Sequence, residues 1–304
     1  MYKEFHLKMF PIAEIFLFVL ILGIFLMYLL SMLGNLIIIA VVYSAPRLRT
    51  PMYFFLVNLS IQDVASASSI LPKLLAIEIT GETYISFLGC FTQMFVYAAC
   101  MDAEFFLLAS MALDRYFAIC VPLKYSIIMN KKVCTVLVLI SWVAGSLNSL
   151  LYVSLVSHLS FCDLKDINHF YCDIKALMRV SCSEVTYINN VILLEGCILG
   201  FLPFAMILTS YGFIISTILK IKTMAGRLKI FSRCSSHLTV VFLFCGTSLS
   251  VYMKPDSESS VQSDMMLSLL YVAVVPTLNP LVYSLRNKEV LHVLKYWRKS
   301  KSIS

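Results

Sequence analysis

Apolar runs of twenty or more residues recur along this chain, at roughly 12–43, 51–77, 88–121, 133–154, 187–219, 236–253 and 263–285, with short polar joints between most of them. About 20 apolar residues in a helix span a hydrocarbon core of about 30 Å, so the pattern predicts seven membrane-crossing helices. The runs are continuous rather than alternating, which argues against strands, and an open sheet edge in lipid would leave backbone groups unpaired. The expected fold class is therefore an all-α membrane protein, one domain over residues 1–304. Residues 1–11 precede the bundle, 12–285 form it, and 286–304 make a tail. In the tail, Val290, Leu291, Leu294 and Trp297 fall on one side with bases elsewhere, which predicts a short amphipathic helix lying in the membrane interface.

Composition agrees with the pattern. The chain is 60% hydrophobic and 13% charged, against roughly 45–50% and about 25% for a soluble domain, and its mean hydropathy is +0.87. The net charge of +7 is unevenly placed. Arg47, Arg49, Lys124, Lys131, Lys132, the run from Lys220 to Arg233 and the tail bases occupy one set of joints. Glu78, Glu82, Asp163, Asp166, Asp173, Glu184, Asp256 and Glu258 occupy the other. Positive joints stay cytoplasmic, so with seven spans the N-terminus is expected outside, in a multi-pass protein of the plasma membrane. The first apolar run exceeds a signal core of 7–15 residues and lacks a small-x-small cleavage site, so it reads as a signal-anchor helix. Cys90, Cys162, Cys172 and Cys182 lie on the outer side, where disulfides persist; the other six cysteines are expected as free thiols.

Several polar groups sit where hydrocarbon should be. Asp114-Arg115-Tyr116 ends the third span in "MALDRYFAICVPLKY" (111–125), and a plain reading lets Arg115 snorkel to lipid phosphates with Asp114 as its neutraliser. "PMYFFLVNLSIQDV" (51–64) buries Asp63 in mid-membrane, "KIFSRCSSHLTVV" (229–241) opens the sixth span, and "PTLNPLVYSLRN" (276–287) closes the seventh. Taken together and in this order, these strings resemble the vertebrate olfactory receptors, a branch of the rhodopsin-like G-protein-coupled receptors. The resemblance covers nearly the whole chain.

The resemblance implies a receptor that binds a small volatile or water-borne molecule among its helices and activates a stimulatory G protein to raise cyclic AMP. Its partners would be an odorant, a heterotrimeric G protein and lipid, with no nucleic acid. It implies a ligand pocket between spans three, five, six and seven. Tyr97, Ala98, Met101, Asp102 and Phe105 would line it from span three, Glu195 and Leu199 from five, Cys245, Ser248, Leu249 and Tyr252 from six, and Leu269 and Val272 from seven. Plain helix packing is the competing reading for each apolar member. Asp102 and Glu195 need partners, and either select an amine or hydrogen-bond donor, or sit protonated and at the watery lip. Asp63 and Glu104, with Asn35 and Asn279, read either as a sodium site, the only metal or cofactor expected, or as a carboxyl pair sharing a proton with water. Asp114 is expected to hold Arg115 at rest, with Tyr211 and Tyr283 swinging towards Arg115 on activation. Four outer cysteines allow three connectivities; the resemblance implies Cys90–Cys172, with Cys162–Cys182 as the second pair, pinning the loop of about 155–186 as a lid. Pro203, Pro276 and Pro280 inside spans are expected to bend them.

Three features depart from the family. Its usual N-terminal sequon is missing, the one Asn-x-Ser being Asn58-Leu59-Ser60 inside a span; Cys245 replaces a usual Tyr; and Arg233 replaces a small polar residue. Other classes fit less well. There is no internal repeat for a transporter, no polar stripe for a channel, and no nucleophile–base or metal constellation for an enzyme, His6, His158, His169, His237 and His292 being scattered. The alternative within receptors is a non-olfactory rhodopsin-like receptor for an endogenous amine or other small ligand.

Overall fold

The structure, a computed structural model, describes residues 4–8, 14–161, 166–252, 261–285 and 290–293, with the side chains of residues 14, 229, 233, 249–252, 261–262 and 284–285 left aside. Seven long helices carry it. They are α1 (Glu14–Ser44), α2 (Pro51–Thr80), α3 (Phe87–Cys120), α4 (Lys131–Ser157), α5 (Thr186–Leu219), α6 (Met224–Tyr252) and α7, which runs through Val261–Leu269, Leu270–Val274 and Val275–Leu285. Six are long and apolar enough to cross a membrane, and the two arms of α6, counted as one span, bring the number to seven.

Local chemistry sets the ends. Pro51 opens α2, where its missing N–H costs nothing, and Gly81 closes it in the left-handed conformation at φ 75°. The Ser86 hydroxyl and the Asn130 side chain accept from Gly89 N and Val133 N, capping α3 and α4. The sixth span starts earlier than hydropathy predicts. Its polar stretch from Met224 is already helical, and the rod bends by 48° between Met224–Ser232 and Cys234–Ser248. Residues 290–293 of the predicted tail helix are helical with Val290 buried; Trp297 and the rest of the tail lie outside the described residues.

Two of the prolines stand beside widened turns. No proline lies in α6, the helix with the sharp bend. In α5 and α7 the turn ahead of Pro203 and of Pro276 is widened, with Phe201 N bonding back to Gly196 O and Val275 N to Leu270 O. Such wide turns absorb a local misfit of the ladder without breaking the rod. Pro280 leaves the Pro276 carbonyl without its helical donor, and lipid cannot supply one. Asn35 Nδ2 at 3.1 Å and Ser31 Oγ at 3.2 Å, both from α1, donate to that carbonyl. The helices touch there, since a Cβ on Gly34 would come within 2.8 Å of Pro280 Cγ.

One end of the bundle is roofed by elements that hydropathy alone did not reveal. Strand β1 (Glu4–Leu7) lies between β2 (Tyr84–Ser86) and β3 (Asp166–Ile167), antiparallel to the first and parallel to the second, with Phe5 opposite Ile85 and Leu7 opposite Ile167. Alternation drives Phe5 and Leu7 inwards, and both are buried in a second apolar core with Phe91, Cys172 and Leu177. This roof, with residues 166–185, is the lid.

Candidate ligand pocket and signalling switch

Cys90 and Cys172 form the expected disulfide and tie the lid to the start of α3. Cys182 is likewise disulfide-bonded, while Cys162, its expected partner, lies outside the described residues. Gln93, one turn below Cys90, reinforces the tie. Its Oε1 accepts from Cys172 N at 3.0 Å and its Nε2 donates to Ser69 O at 2.9 Å. The lid then meets α7, where Arg179 Nη2 stands 4.0 Å from Asp264 Oδ2. Asp173 caps the short helix Ile174–Arg179 by accepting from Lys175 N and Ala176 N. His169 is buried under this corner, its ring stacked on Phe170, and burial lowers its pKa to about 4 despite the nearby Asp173 and Asp264. Together with Lys175, Ala176 and Ser268 these groups surround a cavity of about 20 Å³, room for one water.

Below the lid, α3 presents Tyr97, Met101 and Phe105 at four-residue intervals towards α6 and α7. The Tyr97 ring packs edge-on against Tyr171 of the lid at 5.1 Å and Tyr271 of α7 at 6.1 Å, and Phe105 packs against Phe244 of α6 at 4.5 Å. Cys245, Ser248 and Val272 are buried, Ser248 with its hydroxyl unpartnered, and Leu269 is half-buried against the same core. Ala98 and Leu199 are half-buried, and the side chains of Leu249 and Tyr252 lie outside the described residues.

Asp102 turns the other way. Its Oδ2 accepts from Asn148 Nδ2 of α4 at 2.8 Å, and Glu195 of α5 stands beside Tyr152 of α4 on that side. Helical geometry explains the split: a residue one position past Met101 lies about 100° round the rod.

The polar centre lies deeper. Asn279 Nδ2 donates to both Asp63 oxygens at 3.1 Å, and the Tyr271 hydroxyl donates to Glu104 Oε2 at 3.2 Å. Asn35 does not join them, being occupied with the Pro276 carbonyl and Ser31 O. Glu104 Oε1 and Asn279 Oδ1 are buried with no donor.

At the far end, Asp114 accepts from the Tyr125 hydroxyl at 2.7 Å, and among the described residues no ion pair joins it to Arg115. In this arrangement the phenol from the short helix Tyr125–Ile128 takes one carboxylate oxygen, and the Arg115 charge acts on Asp114 from longer range. Arg115 Nε and the Tyr283 hydroxyl are buried without partners. Tyr211 is held by His237, its hydroxyl 2.7 Å from Nδ1, while His237 Nε2 lies 3.1 Å from Leu108 O of α3. Tyr116 packs on Phe213 of α5 at 5.7 Å. Ser236 donates to Val282 O of α7 at 3.0 Å.

A family model described as "Olfactory receptor" matches residues 24–299. The chain belongs to the olfactory receptor family. Among its relatives, mouse olfactory receptor 5AR1 is 45% identical over 288 residues, covering 94% of this chain and 91% of its own. Human olfactory receptor 1F1 is 46% identical over 270 residues, 88% and 86% of the two chains. The dog olfactory receptor-like protein OLF3 is 44% identical over 278 residues, 91% and 87%. This olfactory receptor is thus a G-protein-coupled odorant receptor and multi-pass membrane protein, not an enzyme.

Sequence reasoning passed over Tyr271, Tyr171, Gln93, Tyr125 and His237 as working parts of the receptor. Tyr125 and His237 stand inside the strings that carry the resemblance. Their partners are on other helices, so spacing along the chain held no sign of the bonds.

Proposed function

We propose that the odorant sits beneath the lid among Tyr97, Met101, Phe105, Phe244, Tyr271 and Val272, and that its binding is passed to the Asp63–Glu104 centre through Tyr271. One observation carries this reading. Tyr97 touches the lid at Tyr171 and the α7 tyrosine whose hydroxyl bonds Glu104, so one ring senses the pocket roof and the polar centre. A mostly apolar site with a few polar groups suits a small, weakly polar ligand. The lid end faces outside the cell, as the acidic joints there require, and the Arg115 end meets a stimulatory G protein. An odorant favouring the active arrangement shifts the population by its differential affinity. The test is cyclic AMP in cells expressing the receptor with an olfactory-type G protein against an odorant panel. An active odorant is expected to lose at least tenfold in potency with Tyr97→Ala at matched surface level, and unchanged potency would refute the pocket.

A second reading concerns sodium at Asp63 and Glu104. Two carboxyls and the unpaired acceptors Glu104 Oε1 and Asn279 Oδ1 form an oxygen-rich centre with too few donors, the donor set that hard cations prefer. Replacing sodium with a large organic cation should then raise basal signalling in the wild type and leave Asp63→Asn unmoved; equal responses would point to the shared-proton alternative.

A further inference from the structure

The α6 wall beneath the lid carries a hydroxyl that the fold does not use. Ser248 stands one turn above Phe244 on the lid side, about 40° round the rod. It therefore borders the space that Phe244 shares with Phe105 at 4.5 Å and Tyr271 at 5.5 Å. The residue is buried and its Oγ has no hydrogen-bond partner. Helical hydroxyls commonly turn back on their own rod. Ser110 donates to Phe106 O, Ser141 to Leu137 O and Thr239 to Ser235 O, each at 2.8 Å. Ser248 would need the Phe244 carbonyl for this. Thr247 Oγ1, 2.7 Å from Leu243 O, also lies 3.1 Å from Phe244 O, whose other lone pair belongs to the helix ladder. The Ser248 proton is left without an acceptor on its own helix, and apolar neighbours offer none.

Charge in the surrounding walls narrows what can meet that proton. No Lys or Arg occurs in residues 87–114, 186–219, 234–252 or 263–285, so an anionic ligand would be buried there without a counter-charge. Glu104, the acid on the pocket side of α3, already takes the Tyr271 hydroxyl at 3.2 Å. An ammonium, for its part, carries no lone pair for Ser248. A carbonyl oxygen accepts a hydrogen bond and brings no donor of its own to be satisfied.

We propose that Ser248 selects the ligand: the odorant is a neutral carbonyl compound, a ketone or ester whose oxygen accepts from Ser248 Oγ while its hydrocarbon chain lies along Met101 and the Phe105–Phe244 pair. Met101 is one turn above Phe105 on α3, as Ser248 is above Phe244 on α6, so the two residues face each other at one level. The proposal rests on the pocket reading above, and adds the ligand's class and the residue that reads it.

The experiment measures cyclic AMP dose–response of the full-length receptor at matched surface level. The probes are straight-chain methyl ketones and methyl esters from hexyl to decyl length, the matching alkenes in which C=CH2 replaces C=O, and primary amines and carboxylates of the same chains. Ketones or esters are expected to be the most potent class. Ser248→Ala should weaken them by about tenfold and leave the alkenes within about twofold, since only the acceptor loses a partner. Ser248→Cys, which keeps the volume and weakens the donor, should fall between the two. Silence towards every ketone and ester overturns the proposal, as does an amine or carboxylate series of higher potency. Equal losses for ketone and alkene in Ser248→Ala also overturn it, because the hydroxyl then serves the fold. The pocket reading fails separately. Unchanged potency of ketone and alkene in Tyr97→Ala would refute the pocket around Tyr97, while selective loss of ketones in Ser248→Ala would still uphold carbonyl recognition by Ser248.

Discussion

His237 and Tyr211 are joined by a hydrogen bond of 2.7 Å whose direction is fixed by a third group. The Leu108 carbonyl can only accept, so His237 Nε2, 3.1 Å away, carries the proton and Nδ1 accepts from the tyrosine. One neutral imidazole thus fastens α6 to α3 and α5, and it occupies the Tyr211 hydroxyl while it does so. His237→Leu removes two buried hydrogen bonds worth about 1 kcal/mol each, a shift of roughly 10- to 30-fold between arrangements. Ligand-free cyclic AMP per surface receptor should rise several-fold. An unchanged basal level would show that the bond does not restrain the switch.

Tyr125 performs the comparable service for Asp114. Tyr125→Phe deletes a hydrogen bond to a carboxylate, typically about 1.5–3 kcal/mol, and frees the short helix Tyr125–Ile128 from α3. The G protein must then order that segment on docking. A maximal response lowered several-fold at matched surface level, with little change in odorant potency, is the expected result.

Gly145 marks where α3 and α4 come closest. A Cβ there would meet Ala99 O at 2.5 Å and Ala103 N at 2.9 Å, backbone atoms that cannot swing aside. Small residues let helices in lipid approach this closely. Gly145→Ala should lower the amount of folded receptor at the surface several-fold, measured by epitope staining. Gly246→Ala, where the new methyl meets nothing within 4 Å, is the matched control and should be close to neutral.

His169 makes the lid corner sensitive to acid. Burial lowers its pKa from 6.5 to about 4, Asp173 and Asp264 favouring the proton and Arg179 opposing it. The unfolded chain takes up the proton at higher pH than the folded one. Stability from this residue is therefore complete above pH 6.5 and drains away as pH falls towards 4, by at most about 3 kcal/mol. Thermal unfolding of purified receptor at pH 7.5 and pH 5 should show a smaller acid-induced loss for His169→Phe than for wild type; parallel losses would place the acid sensitivity elsewhere.

The chain by itself determined that there are seven spans and where most of them begin and end. Apolar length, Pro51, Gly81 and the Ser86 and Asn130 caps act within a few residues, and hydrocarbon leaves a backbone little choice except helix. The same strings placed Asp114-Arg115-Tyr116, Asp63 and Asn279 at their depths and paired Cys90 with Cys172 through the family they resemble. Only the tertiary structure decided which neighbour each polar group takes. Asp102 faces Asn148 rather than the aromatic pocket, Asn35 serves the carbonyl that Pro280 orphans, Asp114 accepts from Tyr125, and Phe5 and Leu7 enter a sheet with two distant loops. The physical reason is common to all four. In a low-dielectric interior a polar group must find its partner among whatever side chains the packing brings within about 3 Å, and that set depends on how the rods are rotated and bent against one another.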